Sequence, residues 1–181
     1  MENKRVTLER LTPNDREQFI LDNQWAFKHG AMIEFKERDK HIDEFGEIIS
    51  YETIEQCIDA EENDTYRIIA NGKVVGGVIV KIDKLTHHNH LELFFVLPDE
   101  HGKGFGYEAW LKVEEMYPDT KVWVTFTPYF EKRNIHFYVN KCGFQIVEFF
   151  NEFHINLDMP QDDQHPNEGP DEMFRFVKIM Q

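Results

Sequence analysis

The chain has 181 residues, of which 41% are hydrophobic and 30% are charged, a composition typical of a folded globular domain. Its net charge of −14 argues against nucleic acid as the main partner, because phosphate backbones are bound by clustered Lys and Arg. The sequence contains no run of about 18 apolar residues and no disulfide or zinc pattern around its two cysteines, so we expect a cytoplasmic protein without a membrane span.

The N-terminal half begins with polar–apolar alternation, which predicts a strand over Lys4 to Leu11. Thr12 and Pro13 then predict the start of a helix that ends at Gly30. The next stretch, to residue 50, is charged and has no clear period. A short helix is predicted over Tyr51 to Ala60, where apolar residues share one face.

Two β-branched runs flank Asn71-Gly72 and predict a hairpin of strands Thr65 to Ala70 and Lys73 to Ile82. A polar turn, LTHHNH, separates this hairpin from a strand over Leu91 to Leu97. The loop DEHGKGFGYEAW follows and opens a helix.

The helix that the loop opens is predicted to end at about Met116. It is followed by a central strand over Lys121 to Thr127 and a helix over Lys132 to Cys142. Two last strands are predicted over Phe144 to Phe150 and Met173 to Ile179. Between the last two strands, residues 151–171 read as an acidic loop. The order β-α-α-β-β-β-α-β-α-β-β predicts an α/β mixed sheet with helices on both faces, in a single domain over residues 1–181.

The glycine-rich loop has the physical character of a phosphate cradle. The first N–H groups of a helix have no internal partner, and the helix dipole favours an anion at that end. A Gly-x-Gly-x-x-Gly dinucleotide fingerprint is excluded, because the third glycine would fall on Tyr107 or Ala109. A Walker loop is excluded as well, and an ordinary flexible connector stays open on spacing alone.

The run LELFFVLPDEHGKGFGYEAWLKVEEM resembles the acetyl-CoA-binding core of the GNAT family of N-acetyltransferases. That family has Arg/Gln-x-x-Gly-x-Gly/Ala after a strand ending in Val-x-Pro. Val96-x-Pro98 and Gly104-x-Gly106 match, whereas His101 stands at the Arg/Gln position.

A second segment, RNIHFYVNKCGF, resembles the family's second signature through four residues, Asn134, Tyr138, Gly143 and Phe144. The resemblance covers about residues 65–150, which would be the cofactor-binding core. It implies a mostly antiparallel sheet of about six or seven strands, with a splayed parallel strand pair at the cofactor site.

The resemblance implies a set of acetyl-CoA-binding residues, in which backbone groups predominate: Phe95, Val96, His101, Gly102, Lys103, Gly104, Phe105, Gly106 and Asn134. It also implies that Tyr138 protonates the leaving thiolate. Helix geometry places Tyr138 only about 40° around the axis from Asn134, so both can address one ligand. The alternative is that Tyr138 is an aromatic residue packed on the sheet.

The base that takes the proton of the amine is not defined by the pattern. His90 and Glu92 alternate onto one strand face if no bulge intervenes, and either can accept this proton. The alternative for His90 is that it lies in a surface turn. The alternative for Glu92 is that it is a solvated or ion-paired strand residue. His87, His88 and His90 lack the spacing of a biological metal site, so no metal is expected.

These observations predict an acetyl-CoA-dependent N-acetyltransferase that transfers acetyl directly to a primary amine of a small molecule or peptide. The acidic segments Asp39 to Glu47 and Asp158 to Asp171 favour a cationic acceptor. A non-catalytic acyl-CoA-binding module is the alternative, favoured by His101 and by the undefined base. A homodimer is compatible with the resemblance.

Overall fold

A computed structural model describes residues 5–34, 46–157 and 172–181. The strands are β1 (Val6–Arg10), β2 (Asn63–Ala70), β3 (Lys73–Lys81), β4 (His88–Val96), β5 (Val122–Pro128), β6 (Gln145–Phe150) and β7 (Met173–Ile179). The helices are α1 (Arg16–Lys28), α2 (Tyr51–Asp59), α3 (Phe105–Met116) and α4 (Lys132–His136). Two π-helical turns, His29–Glu34 and Phe137–Lys141, extend α1 and α4.

The strands form one seven-stranded sheet in the order β1-β2-β3-β4-β5-β7-β6. Every neighbouring pair is antiparallel except β4 and β5, which run parallel. At the β2–β3 hairpin Asn71 and Gly72 have φ of 51° and 76°, the left-handed values that a type I′ turn requires. The predicted hairpin and mixed sheet are therefore confirmed.

Helices cover both faces of the sheet, and each face has its own core. On the face covered by α1 and α2, called the α1 face, Phe19, Ile54, Ile79 and Phe95 are buried together. On the opposite face, called the α3 face, α3 and α4 cover a larger aromatic core that includes Trp110, Trp123, Tyr138, Phe144 and Phe176. This arrangement confirms the predicted layers.

The first helix does not end at Gly30, as the sequence predicts. The chain continues through the π-helical turn to Glu34, and Ala31 within that turn is fully buried. Burial of Ala31 compensates for the low helix propensity of the neighbouring glycine.

The polar stretch before Leu91 is also not only a turn, because β4 begins at His88. Asn89 is buried there, and its amide group accepts from the Asp83 N–H at 2.9 Å and donates to the Thr120 hydroxyl at 2.7 Å. Buried polar groups are tolerated when they are hydrogen-bonded, so a sequence that looks like a turn forms a strand.

Two sequence features lie outside the described residues. They are residues 39–45 of the first acidic segment and the second acidic segment, Asp158 to Asp171. In the part of the chain that is described, no helix combines the length and apolar character needed to cross a membrane.

Candidate active site

The parallel strands β4 and β5 separate soon after they begin. They pair only from His88 opposite Val122 to His90 opposite Val124. At the point of separation the Thr125 hydroxyl donates to the Leu91 carbonyl at 2.9 Å. Beyond it a cleft of about 1900 Å³ lies between the two strands and is lined from both faces of the sheet.

A β-bulge in β4 lies beside this separation. Ile79 of β3 pairs with Leu93 and Val80 pairs with Leu91, so Glu92 is the extra residue. A bulge shifts the alternation of side chains by one position. Leu91 therefore packs on the α3 face, whereas Leu93 packs on the α1 face.

The backbone of Val96 points into the cleft. The Leu97 N–H donates to the Val75 carbonyl at 2.8 Å, and Gly76 lies opposite Val96. In an antiparallel ladder this pattern makes Gly76 and Val96 a non-hydrogen-bonded pair, so the N–H and C=O of Val96 face away from β3. The same alternation turns the backbone of Phe95 toward β3 and its ring into the α1-face core.

The glycine loop leads from β4 into the first turn of α3. Gly102 and Gly104 have φ of 74° and 82°, which side chains rarely adopt, whereas Gly106 has no such constraint. The first backbone bond at this end joins the Glu108 N–H to the Gly104 carbonyl, so the preceding helical amides have no intrahelical partner. The loop thus presents unpaired N–H groups at a helix N-terminus that lines the cleft.

Arg5 supports this loop from outside the cleft. Its guanidinium donates to the Lys103 carbonyl at 2.5 Å, pairs with the Glu108 carboxylate and lies 4.6 Å from the centroid of the Phe105 ring. Phe105 is buried, so only its backbone is available to a ligand. Lys103 does not line the cleft, and its ammonium pairs with Glu100 at 2.7 Å.

His101 joins the loop to β4 and to α4. Its Nε2 lies 2.8 Å from the Val96 carbonyl oxygen, and its Nδ1 lies 2.8 Å from Nη1 of Arg133. A carbonyl only accepts and a guanidinium only donates, so Nε2 carries the proton and Nδ1 accepts. The neutral imidazole with this tautomer satisfies both contacts and holds Arg133 beside the loop.

Tyr138 is buried on the α3 face, with 6% of its surface exposed, and it lines the cleft. Burial, with smaller effects from Cys142 and Glu131, raises the pKa of its phenol, and a hydrogen bond with Thr125 opposes the shift. The group therefore keeps its proton at neutral pH. Burial also raises the pKa of Cys142 to about 12, which argues against a nucleophilic thiolate there.

The helix geometry around Tyr138 differs from the expected α-helical spacing. Tyr138 lies in the π-helical turn, where the Cys142 N–H donates to the Phe137 carbonyl five residues earlier. This bond joins residues 137 and 142, so the angle of about 40° between Asn134 and Tyr138 stays a prediction. Both residues nevertheless line the cleft, and the Asn134 amide donates to Glu131.

His90 and Glu92 line the cleft on the α1 face, opposite Tyr138. Their Nδ1 and Oε1 atoms are 4.0 Å apart, although Glu92 is the bulged residue. Burial lowers the pKa of His90 against the opposing effect of Glu92, and the charges of Lys81 and Arg175 add smaller lowering effects. The imidazole is therefore neutral at pH 7 and able to accept a proton.

Thr125, Arg133 and Arg175 are polar residues of the cleft that the sequence motifs do not identify. Arg133 directly precedes Asn134 of the second signature, and this position is the sequence feature that could have indicated its place in the site. Thr125 and Arg175 belong to strands whose relative placement depends on long-range pairing, and no local pattern marks them.

Comparisons with known proteins agree with this fold. The family model described as Acetyltransferase (GNAT) family matches residues 21–144. An uncharacterized protein, YrkN of Bacillus subtilis (strain 168), is 44% identical over 179 residues, covering 97% of this chain and 94% of that protein.

Two solved structures share the fold over almost the whole chain. The spermidine N-acetyltransferase of Vibrio cholerae, solved with CoA and spermine, has a TM-score of 0.66 at 14% identity and covers 98% of this chain and 96% of its own. A Bacillus subtilis acetyltransferase solved with CoA has a TM-score of 0.60 at 15% identity, over 98% of this chain and 99% of its own. These two structures show the fold, and the family model, which matches more than half of the chain, shows that the chain belongs to the GNAT acetyltransferase family.

Proposed function

We propose that the protein transfers an acetyl group from acetyl-CoA directly to a primary amine. The observation that carries this proposal is the cleft between β4 and β5. It connects the glycine loop and Tyr138 on the α3 face with His90 and Glu92 on the α1 face. A thioester bound from one face thus meets an amine that enters from the other.

Backbone groups hold the cofactor in this proposal. The amides of Gly102, Gly104 and Gly106 bind the pyrophosphate of CoA at the helix N-terminus. The Val96 N–H, directed into the cleft, binds the pantetheine arm or the acetyl carbonyl. The resemblance of the loop to the family signature and its unpaired amides support this assignment, in which the Phe105 ring is buried and the Lys103 ammonium pairs with Glu100.

Arg133 supplies the cation that the first signature lacks at His101. His101 accepts a hydrogen bond from Arg133 through Nδ1, so the guanidinium is held beside the loop that binds the phosphates. An arginine at this place stabilises a phosphate anion more strongly than the neutral imidazole does.

The reaction needs a neutral amine and a protonated leaving group. The amine nitrogen bonds to the acetyl carbon, the carbon–sulfur bond breaks, and the thiolate takes the phenolic proton of Tyr138. The amine proton goes to His90, whose lowered pKa keeps the imidazole neutral beforehand. The nearby Glu92 carboxylate stabilises the imidazolium that forms.

The alternative function is an acyl-CoA-binding module without turnover. The feature that favours it is His101, whose ring is engaged by Val96 and Arg133 in place of a signature Arg or Gln. Incubation with acetyl-CoA and a panel of primary amines, with continuous detection of free thiol, separates the two. Amine-dependent thiol release supports the enzyme, whereas saturable acetyl-CoA binding without thiol release on any amine supports the module.

A further inference from the structure

Arg175 of β7 lies on the acceptor side of the cleft. It is opposite Phe126 of β5 in the antiparallel register, and Val124, two residues earlier, is opposite His90. Residues two apart in a strand share a face, so Arg175 and His90 project from the same face of the sheet. Both line the cleft, and the charge of Arg175 acts on His90.

The guanidinium of Arg175 is only partly paired. Its Nη1 lies 3.2 Å from Oε2 of Glu148, whose other oxygen lies 2.8 Å from Nε2 of His154. Its Nε is buried and has no hydrogen-bond partner among the described residues. A buried donor without a partner costs free energy unless a ligand supplies the acceptor.

The unpaired position has the geometry that selects a carboxylate. The Nε and Nη2 hydrogens of a guanidinium form a planar fork that matches the two oxygens of a carboxylate. Nη1 is the nitrogen that Glu148 occupies, so the Nε edge is not the edge used within the protein.

The other charges of this part of the cleft do not replace such a ligand. Its carboxylates Glu92, Glu152 and Glu172 are exposed and therefore solvated, whereas the Nε of Arg175 is desolvated. A polyamine would leave this donor unpaired and would bring a second cation toward it. An acceptor with an anionic group and an amine is complementary to both ends of the site.

We propose that the acceptor is an amine that carries a carboxylate, as an α-amino acid does, with the carboxylate bound by the Nε edge of Arg175 and the amine directed to His90. This inference rests on the proposed acetyltransferase function. It names Arg175 as the residue that selects the acceptor.

The test compares each α-amino acid with the amine that differs from it only by loss of the carboxylate, such as lysine with cadaverine and tyrosine with tyramine. Binding to the CoA-saturated protein is measured by calorimetry, and thiol release from acetyl-CoA is measured in parallel. We expect at least one amino acid to bind about 10- to 100-fold more tightly than its decarboxylated partner, and Arg175→Gln to abolish this difference.

Glu148→Gln is the matched control, because it removes the ion pair of Arg175 and keeps the guanidinium. If Arg175 acts only in the fold, both variants lose stability and neither changes the preference. Arg175→Lys keeps the positive charge but lacks the planar fork of the guanidinium, so it should retain only part of the preference for the amino acid. This variant provides the test if Arg175→Gln does not fold.

Tighter binding of the decarboxylated amines or of spermidine, or a preference that survives in Arg175→Gln, would overturn the proposal. Carboxylate-dependent binding without thiol release would support the Arg175 site and contradict the acetyltransferase function. Calorimetry therefore tests the Arg175 site, and thiol release tests the acetyltransferase function independently of it.

Discussion

The Nε2 atom of His101 lies 2.8 Å from the carbonyl oxygen of Val96 and ties the glycine loop to the end of β4. The two elements to which the proposed function assigns the cofactor are thus held in a fixed relation. The residue that departs from the family signature is in this way an organising contact of the site.

Replacement of His101 by alanine removes this contact and frees the Val96 carbonyl. We expect the Kd for acetyl-CoA to rise about 3- to 10-fold, in line with the loss of one hydrogen bond in the binding-competent arrangement. His101→Gln, which keeps a donor in reach of the carbonyl, should lose less. Equal affinity of wild type and His101→Ala in a calorimetric titration would contradict this role.

Arg133→Gln tests the proposed contact between the Arg133 guanidinium and a phosphate of CoA. If the guanidinium contacts a phosphate of CoA, the Kd should rise about 10- to 100-fold, as expected for a charge-assisted bond. The dependence of binding on salt should become weaker in the variant.

Lys132→Gln is the control for Arg133, because Lys132 is exposed on the same helix and does not line the cleft. It removes the same charge and should leave the Kd almost unchanged. Equal effects of the two substitutions would indicate general electrostatic attraction and would remove Arg133 from the site.

The loop glycines differ in what they require of the backbone. Gly104 has φ of +82°, and a Cβ there would lie 3.2 Å from Nη2 of Arg5. Gly104→Ala should therefore lower the free energy of unfolding by about 1–2 kcal/mol. At Gly106 a Cβ would meet its nearest neighbours at 3.5 Å without positive φ, so Gly106→Ala should be tolerated. Denaturant unfolding of both variants measures the difference, and equal losses would be inconsistent with this geometry.

Tyr138→Phe removes the proposed acid and keeps the buried ring. We expect kcat to fall roughly 10²-fold or more, whereas the Kd for acetyl-CoA stays within about twofold. Tyr51→Phe, on α2 outside the cleft, is the control. An unchanged kcat in Tyr138→Phe would leave Tyr138 as a packing residue only.

The pH dependence of kcat follows from two shifted groups. The pKa of Tyr138 is raised above its ordinary value of 10.0, so loss of the acid should not reduce kcat at any pH up to about 10. The pKa of His90 is lowered from 6.5, so the acidic limb should lie below that value and should disappear in His90→Gln. A falling limb below pH 10 that is absent from Tyr138→Phe would contradict the assignment of Tyr138.

Local patterns in the sequence predict most of the fold. Alternation, β-branched runs and the Asn71-Gly72 turn identify the strands, because each signal is contained within a few neighbouring residues. The position of the bulge at Glu92 cannot be predicted from these patterns, since it arises from the register between β3 and β4. Where Gly76 approaches Phe95, a Cβ would lie 2.1 Å from the carbonyl oxygen, which shows how closely the two strands are matched.

The candidate site likewise has residues that local motifs identify and residues that only the folded sheet brings together. The glycine loop and Tyr138 belong to short motifs and were identified from the sequence. The carboxylate-selecting role proposed for Arg175 depends on its place beside Glu148 and on the face of His90, which follow from the pairing of β7 with β6 and β5. Such contacts have no signature in the residues that flank Arg175.

The central claim is that acetyl passes from CoA to an amine inside the cleft between β4 and β5. The most direct measurement quantifies free CoA and the acetylated amine in the same reaction, for wild type and Tyr138→Phe, by mass spectrometry. The account predicts equal amounts of the two products with wild type and a greatly reduced rate with the variant. Free CoA without acetylated amine, or no product with any primary amine despite saturable acetyl-CoA binding, would contradict it.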